Sequence, residues 1–162
     1  MIIHDATAAD WPAIWQIFRA VVGAGETYAY DPQMSEDQAR ALWMLNPPGR
    51  TFVALDAEGA VVGTAKMHPN QMGPGAHVAT ASFMVDPSSA GRGIGRALGE
   101  HVLASARQQG YLAMQFNAVV ETNRRAVALW QSLGFSIVGT VPEAFLHPTR
   151  GYVGLHVMHQ AL

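Results

Sequence analysis

Three glycines and two arginines stand close together in residues 91–96, which read Gly-Arg-Gly-Ile-Gly-Arg. Glycine allows the backbone to adopt positive φ angles and to approach a ligand closely. The residues that follow read as a helix, whose first amides have no partner within the helix and carry the positive end of its dipole. A turn of this kind is suited to binding a pyrophosphate, to which the arginine side chains would add charge.

The spacing of these glycines excludes two common phosphate-binding motifs. The dinucleotide fingerprint G-x-G-x-x-G/A fails, because its third position is Arg96 when counted from Gly91 and Leu98 when counted from Gly93. The P-loop pattern G-x-x-x-x-G-K-[ST] is also missing. The loop therefore supports neither NAD nor a nucleoside triphosphate as its ligand.

Residues 90–95 are similar to the acetyl-CoA signature [RQ]-x-x-G-x-[GA] of the Gcn5-related N-acetyltransferase (GNAT) superfamily. The chain departs from that signature at its first position, which is Ala90. This departure does not by itself exclude acetyl-CoA binding, because backbone amides make most of the anion contact. It implies acetyl-CoA as cosubstrate. The implied contact residues are Met84, Val85, Ala90, Gly91, Arg92, Gly93, Ile94, Gly95, Arg96, Asn123 and Trp130.

A second recurring GNAT pattern, N-x-x-A-x-x-L-[YW]-x-x-x-G-F, matches residues 123–135. The resemblance implies an α/β fold with a mixed, mostly antiparallel sheet of six to seven strands and four flanking helices. In this superfamily the middle strands, here about 77–85 and 112–118, splay apart. The pantetheine arm lies in the resulting V and pairs with the backbone like an extra strand.

Four short segments look similar to the fungal acetyltransferases that detoxify proline analogues such as azetidine-2-carboxylate. These segments are residues 25–28, 77–83, 115–117 and 121–123. By this resemblance Asn123 is an active-site residue. The acceptor pocket would contain Glu26, Tyr28, Tyr30, Thr80 and Asn117. The fungal relative carries Asn where this chain has Thr80, so the identity of the acceptor stays open.

Acetyl transfer to an amine needs a proton acceptor, donors for the oxyanion and a proton for the leaving thiolate. Many relatives use a Glu on the strand before the loop and a Tyr on the last helix, but this chain has Thr80 and Trp130 there. We expect the Val85 amide to polarise the thioester carbonyl and His77 to act through water. The alternatives are a structural role for His77 and a helix-capping role for Asn123.

The composition limits the other classes of function. The 162 residues include no cysteine, which excludes disulfides, thiolate metal sites and a cysteine nucleophile. The net charge of −2 gives no basic surface for nucleic acid. We expect no metal site, since His156 and His159 project from opposite faces of a strand. No signal peptide or membrane-spanning run is visible, so we expect a cytoplasmic protein without a membrane partner.

Hydrophobic periodicity predicts a single domain, residues 1–162, with the order β-α-α-β-β-β-α-β-α-β-β. A Thr7–Asp10 capping box should begin the first helix, and Gly23 and Gly25 should end it. A loop containing Pro142 and Pro148 should join the last two strands. The predicted strands are 2–3, 51–55, 60–67, 77–85, 112–118, 135–141 and 152–158, and the later helices begin near 35, 95 and 123.

The resemblance and the residues favour an N-acetyltransferase acting on an amine of a small molecule, such as an amino acid or a cyclic imino acid. Two alternatives remain open at this point. The first is an acyl-CoA-binding module without catalysis, which the missing Glu and Tyr favour. The second is a protein or peptide N-acetyltransferase. Phosphinothricin and aminoglycosides also stay open as acceptors, and the resemblance to a superfamily with many dimers leaves a homodimer open.

Overall fold

A computed structural model describes residues 1–162, and it contains one seven-stranded mixed sheet flanked by four α-helices. This is the predicted fold class. The strands are β1 Ile2–Asp5, β2 Arg50–Leu55, β3 Val61–Pro69, β4 Val78–Val85, β5 Ala113–Val120, β6 Ser136–His147 and β7 Gly151–Ala161. The helices are α1 Trp11–Ala24, α2 Glu36–Trp43, α3 Ile94–Gln108 and α4 Arg124–Ser132.

The strand order is β1-β2-β3-β4-β5-β7-β6, and every neighbouring pair is antiparallel except β4 and β5. The parallel strands β4 and β5 pair only where Val78 faces Ala113 and Ala79 faces Met114. Beyond these positions β4 continues beside β3, and β5 continues beside β7. The two halves of the sheet therefore diverge, and a V opens toward the C-terminal ends of β4 and β5.

Each face of the sheet carries its own hydrophobic core. On one face, α3 and α4 pack over a cluster that includes Leu98, Met114 and Phe116. On the other face, α1 and α2 pack over a cluster that includes Phe18 and Trp43. Neighbouring strand residues alternate between the two cores, because successive side chains point to opposite faces. No helix is both long and apolar enough to cross a membrane.

The helix ends follow the predicted capping chemistry, with one correction. Thr7 and Asp10 form a capping box ahead of α1, and Ser35 and Gln38 form another ahead of α2. Gly25 ends α1 with a left-handed φ of 68°. The prediction that Gly23 also breaks α1 was wrong, because Gly23 lies inside the helix, where neighbouring packing outweighs its low propensity.

The last two strands are longer than the sequence pattern predicted. Pro142 lies inside β6 instead of in the connecting loop, at a register shift between Val141 and Phe145. Proline has no N–H to donate to a neighbouring strand. It is tolerated here because β6 is the edge strand of the sheet and the ladder is already interrupted.

Candidate active site

A cavity of about 780 Å³ fills the V between β4 and β5 and extends beneath the segment that follows α1. Its walls come from both sheet halves, from the α1–α2 connection and from the start of α4. Ten predicted site residues line this cavity: Glu26, Tyr28, Tyr30, Thr80, Met84, Val85, Ala90, Asn117, Asn123 and Trp130. The cavity therefore brings together residues that stand as far apart in the sequence as Glu26 and Trp130.

The glycine loop directly follows Ala90, which lines this cavity, and it presents free backbone amides. Four predicted contact residues, Gly91, Gly93, Ile94 and Gly95, do not themselves line the cavity. Gly91 and Gly93 have φ angles of 81° and 79°, which non-glycine residues rarely adopt. Gly93 is the N-cap of α3, and the first bond inside the helix runs from the Ala97 N–H to the Gly93 carbonyl at 3.1 Å. The amides of the first three helical residues consequently lack helical partners. This backbone conformation is compatible with the anion site that the sequence predicts.

The side chains of the same loop point elsewhere. The Arg96 guanidinium donates to the Ser132 hydroxyl at 2.7 Å and lies 3.5 Å from the Glu100 carboxylate, so it ties α3 to α4. Arg92 borders a separate, smaller cavity beside Met1 and Asp56. The positions of Arg92 and Arg96 therefore do not support the expectation that both add charge to the cavity. The backbone amides of the loop remain as the groups that could donate hydrogen bonds to an anion.

The open edge of β4 is held by a tyrosine hydroxyl. Tyr28 Oη donates to the Phe83 carbonyl at 2.7 Å and accepts from the Phe83 N–H at 2.9 Å. The backbone polar groups of Phe83 thus face the V instead of β3. Because alternate residues of a strand direct these groups to the same edge, the Val85 amide also faces the V. That orientation is the one a thioester-polarising amide needs.

An aromatic wall closes the cavity on the side of α1 and the α1–α2 connection, where the acceptor pocket was predicted. The rings of Tyr28 and Tyr30 stack with centroids 5.2 Å apart, and Tyr30 stacks on Phe18 at 5.9 Å. Burial raises the pKa of both phenols above their ordinary value of 10. Both phenols therefore stay neutral near pH 7, so they serve as hydrogen-bonding groups and not as bases.

Two polar residues of β3 that the sequence reasoning missed also line the cavity, namely Lys66 and His68. The Lys66 ammonium donates to the Leu42 carbonyl at 2.9 Å, and burial lowers the pKa of Lys66 to about 8. His68 Nδ1 lies 2.8 Å from the Pro69 carbonyl. The available signal was the spacing of Lys66 and His68, which stand two positions apart and therefore on one face of a mostly apolar strand.

Two asparagines stand on the β5 side of the V. Asn117 Nδ2 donates to Asn70 Oδ1 at 2.7 Å, and Asn117 Oδ1 accepts from Gln115 at 2.9 Å. Asn123 Oδ1 accepts from the Ala126 N–H at 3.3 Å and caps α4. Asn123 therefore combines the capping alternative with a position on the cavity wall.

A family model described as the acetyltransferase (GNAT) family matches residues 11–135. The chain belongs to this family. The predicted enzyme class, an acetyl-CoA-dependent N-acetyltransferase, is confirmed by this membership and by the solved relatives.

Three relatives illustrate the range of this acetyltransferase's neighbours. The structure of a GCN5-related N-acetyltransferase from Kribbella flavida is 61% identical, with a TM-score of 0.97 over 99% of this chain and 97% of that one. A phosphinothricin acetyltransferase from Sinorhizobium meliloti, in complex with AcCoA, is 25% identical with a TM-score of 0.89 over 99% and 88%. The N-acetyltransferase aca1 of Schizosaccharomyces pombe is 28% identical over 82% of this chain and 71% of its own length.

One catalytic residue predicted for the acetyltransferase lies outside the site. His77 is exposed just before β4, at the closed end of the V, and does not line the cavity. Its Nδ1 lies 3.1 Å from the Pro74 carbonyl. The residues of β4 that reach the cavity begin with Thr80, three positions further on. His77 is therefore not placed to act on a group bound in the cavity.

The acetyltransferase has no acid at the position of the usual tyrosine. Trp130 packs against Phe83 with ring centroids 4.7 Å apart and against Phe116 at 5.0 Å. An indole N–H is a donor that does not release its proton in this pH range. Among the His, Asp and Glu side chains, no group of three or more could hold a metal ion.

Proposed function

We propose that this acetyltransferase binds acetyl-CoA in the V and transfers the acetyl group directly to the amine of a small molecule. The observation that carries the proposal is the cavity itself. It runs from Ala90, which directly precedes the glycine loop and the unpaired amides at the start of α3, along the edge of β4 that faces the V, and it ends at an aromatic wall. Pyrophosphate would bind the amides, and pantetheine would pair with the strand edge.

The residues support a mechanism without a covalent enzyme intermediate. The amine nitrogen attacks the thioester carbon, the Val85 N–H stabilises the developing oxyanion, and the carbon–sulfur bond then breaks. The amine loses one proton and the thiolate gains one through water in the open cavity. Asn123 would orient the reacting groups. Positioning alone lowers such barriers by up to about 7–11 kcal/mol, which makes a dedicated base dispensable.

We propose an amino acid or a cyclic imino acid as the acceptor class. The support is the resemblance of residues 25–28, 77–83, 115–117 and 121–123 to the fungal proline-analogue acetyltransferases, together with the position of Asn117 and Asn123 on the cavity wall. The 28% identity to an N-acetyltransferase of Schizosaccharomyces pombe is consistent with that resemblance but names no acceptor. The relative from Sinorhizobium meliloti, named for phosphinothricin, keeps that amino acid analogue among the acceptors to be tested.

A second candidate function is an acyl-CoA-binding protein without turnover. The observation that favours it is the lack of both usual catalytic groups, since Thr80 stands where many relatives have the Glu and Trp130 where they have the Tyr. A protein or peptide N-acetyltransferase is the third reading. All three readings share the cofactor site and differ in what, if anything, accepts the acetyl group.

The testing experiment measures thiol release from acetyl-CoA across a panel of amines. The panel contains azetidine-2-carboxylate, proline, common amino acids, phosphinothricin, polyamines, aminoglycosides and short peptides. We expect turnover with amino or imino acids. Acetyl-CoA binding without thiol release for any amine would support the binding module instead, and turnover confined to peptides would support the third reading.

We also propose that the enzyme forms a homodimer through β6. This edge strand exposes its first nine residues, and they include Val138 and Val141, whose side chains are 69% and 52% exposed. An exposed apolar edge strand invites pairing with another strand. Sedimentation should therefore give a dimer, and Val138→Lys should shift it toward monomer. A wild-type monomer at tens of micromolar protein would overturn the proposal.

A further inference from the structure

The only lysine of the chain is buried in the wall of the active-site cavity. Lys66 is 5% exposed, and its ammonium makes one hydrogen bond, to the Leu42 carbonyl at 2.9 Å. An ammonium group has three N–H donors, so two remain without a protein partner. Neither of the two ion pairs in the structure involves Lys66. Lys66 is thus a buried cation without an ion-pair partner, since Glu26, the one carboxylate that lines the cavity, is exposed and forms no ion pair with it.

Aromatic rings surround the Lys66 ammonium and attract its positive charge, but they bring no negative charge to pair with it. The ammonium lies 5.8 Å from the ring centroid of Tyr30 and 5.3 Å from that of Trp43. Such contacts attract a cation to the negative face of an aromatic ring. Burial lowers the pKa of Lys66 to about 8, which leaves the group mainly protonated at pH 7. A buried unpaired charge is costly, and a ligand of opposite charge would recover part of that cost.

The position of Lys66 places this charge at the acceptor end of the V. Lys66 lies directly opposite Ser82 in the β3–β4 pair, and opposite residues project from the same face. Ser82 precedes Val85 by three residues, which corresponds to about 10 Å along a strand. The lysine side chain can extend over part of that distance. The cation therefore lies within reach of an acceptor whose amine is at the thioester and whose other end points toward Tyr30.

We propose that Lys66 binds a carboxylate of the acceptor, so that the enzyme selects amines that carry a carboxylate. This inference rests on the proposed acetyl transfer and specifies its substrate class. A carboxylate on Lys66 would take up the two free N–H donors as charge-assisted hydrogen bonds. Polyamines and aminoglycosides, which bring further cations into the cavity, would be repelled by the same group.

The experiment compares each acid with its own amide, using azetidine-2-carboxylate, proline and leucine with the corresponding amides. For the wild type we expect kcat/KM to be about 10- to 100-fold higher for the acid. In Lys66→Met the acid should lose that advantage through a higher KM, while kcat/KM for the amide stays within about twofold. Arg125→Met is the matched control, since it removes another cation that lines the cavity but lies on α4. It should affect acid and amide equally.

A binding measurement separates this inference from the proposed function. Calorimetry with the acid and the amide, on wild type and Lys66→Met, reports recognition even when no acetyl group is transferred. Acid binding that depends on Lys66, without thiol release, would support the carboxylate site while removing the proposed turnover. Equal losses for acid and amide in Lys66→Met, or wild-type protein that does not prefer the acid in either assay, would overturn the role of Lys66.

Discussion

In the proposed complex, the two ends of the cavity would recognise their ligands by different means. At the donor end, the glycine loop and the edge of β4 offer backbone amides, while Arg92 and Arg96 point away. At the acceptor end, recognition depends on side chains such as Tyr30 and Lys66, which come from separate elements. Binding at the donor end would therefore depend on local backbone conformation. Binding at the acceptor end would depend on which side chains the fold brings together.

This difference has a consequence for substitution. A change that alters backbone geometry at the donor end should abolish the binding of acetyl-CoA, whichever acceptor is used. A side-chain change at the acceptor end should alter the choice of amine and leave the cosubstrate bound. A donor-end variant that changes only the choice of amine, or an acceptor-end variant that loses acetyl-CoA, would contradict this division.

The largest effect is expected for Gly93→Val. Valine at a φ of 79° is strained, and its side chain would stand where a pyrophosphate must approach the helix amides. We expect acetyl-CoA affinity to fall at least about 100-fold, measured by calorimetry. Gly110→Val is the matched control, because Gly110 has a φ of 81° with equally open space but lies beyond the far end of α3.

Both valine variants should lose comparable stability in thermal unfolding, about 1–2 kcal/mol each, since the backbone strain is similar. Only Gly93→Val should lose the cosubstrate. Retained affinity in folded Gly93→Val protein would remove the pyrophosphate from the glycine loop.

A smaller effect is expected at Asn123, where capping and catalysis can be separated. Serine also caps helices well, so Asn123→Ser should keep the free energy of unfolding within about 0.5 kcal/mol while removing the amide NH2 group. We expect kcat to fall about tenfold, as for other positioning groups. Wild-type kcat in Asn123→Ser would show that the residue only caps α4.

Ser35→Ala provides the control for the stability half of this experiment. Ser35 caps α2 by accepting from the Gln38 N–H at 3.3 Å and does not line the cavity. Its loss should cost about 1 kcal/mol of stability without changing kcat.

The smallest effect is a pH dependence of acceptor binding. Lys66 binds a carboxylate only as the ammonium, and burial lowers its pKa to about 8. Affinity for a carboxylate ligand should be constant below that pH and fall as the pH rises through it, by up to about tenfold per unit. The hydroxy-acid analogue of the acceptor is the right probe, because it has no amine to titrate. A flat profile from pH 7 to 9 would contradict the assignment.

The fold and the conformation of the glycine loop could be predicted because their signals are local. The glycine spacing, the two capping boxes and the helix pattern of residues 123–135 all act within a few residues of one another. The acceptor site could be predicted only in part. Lys66 and His68 were missed because their exposure to the cavity depends on how α2 and the α1–α2 connection cover β3, which no local pattern encodes.

The errors have the same physical origin. The length of β6 depends on pairing with β7, and that pairing carried the strand through Pro142, where local propensity predicted a loop. His77 was predicted to act through water as a lone histidine at a strand end. The structure separates it from Thr80, the first residue of β4 that lines the cavity, because His77 lies before the paired start of the strands and Thr80 lies after it.

The single lysine also determines how this protein withstands its own cosubstrate. Thioesters acylate accessible amines chemically, and most proteins expose many lysines to that reaction. Here every other basic side chain is arginine or histidine, and a guanidinium keeps its proton at any pH where the fold survives. Mass spectrometry after long incubation with acetyl-CoA should therefore find at most two added acetyl groups, one on the N-terminal amine and one on Lys66. Apart from the N-terminal amine, the exposed surface carries no lysine that the thioester could acylate.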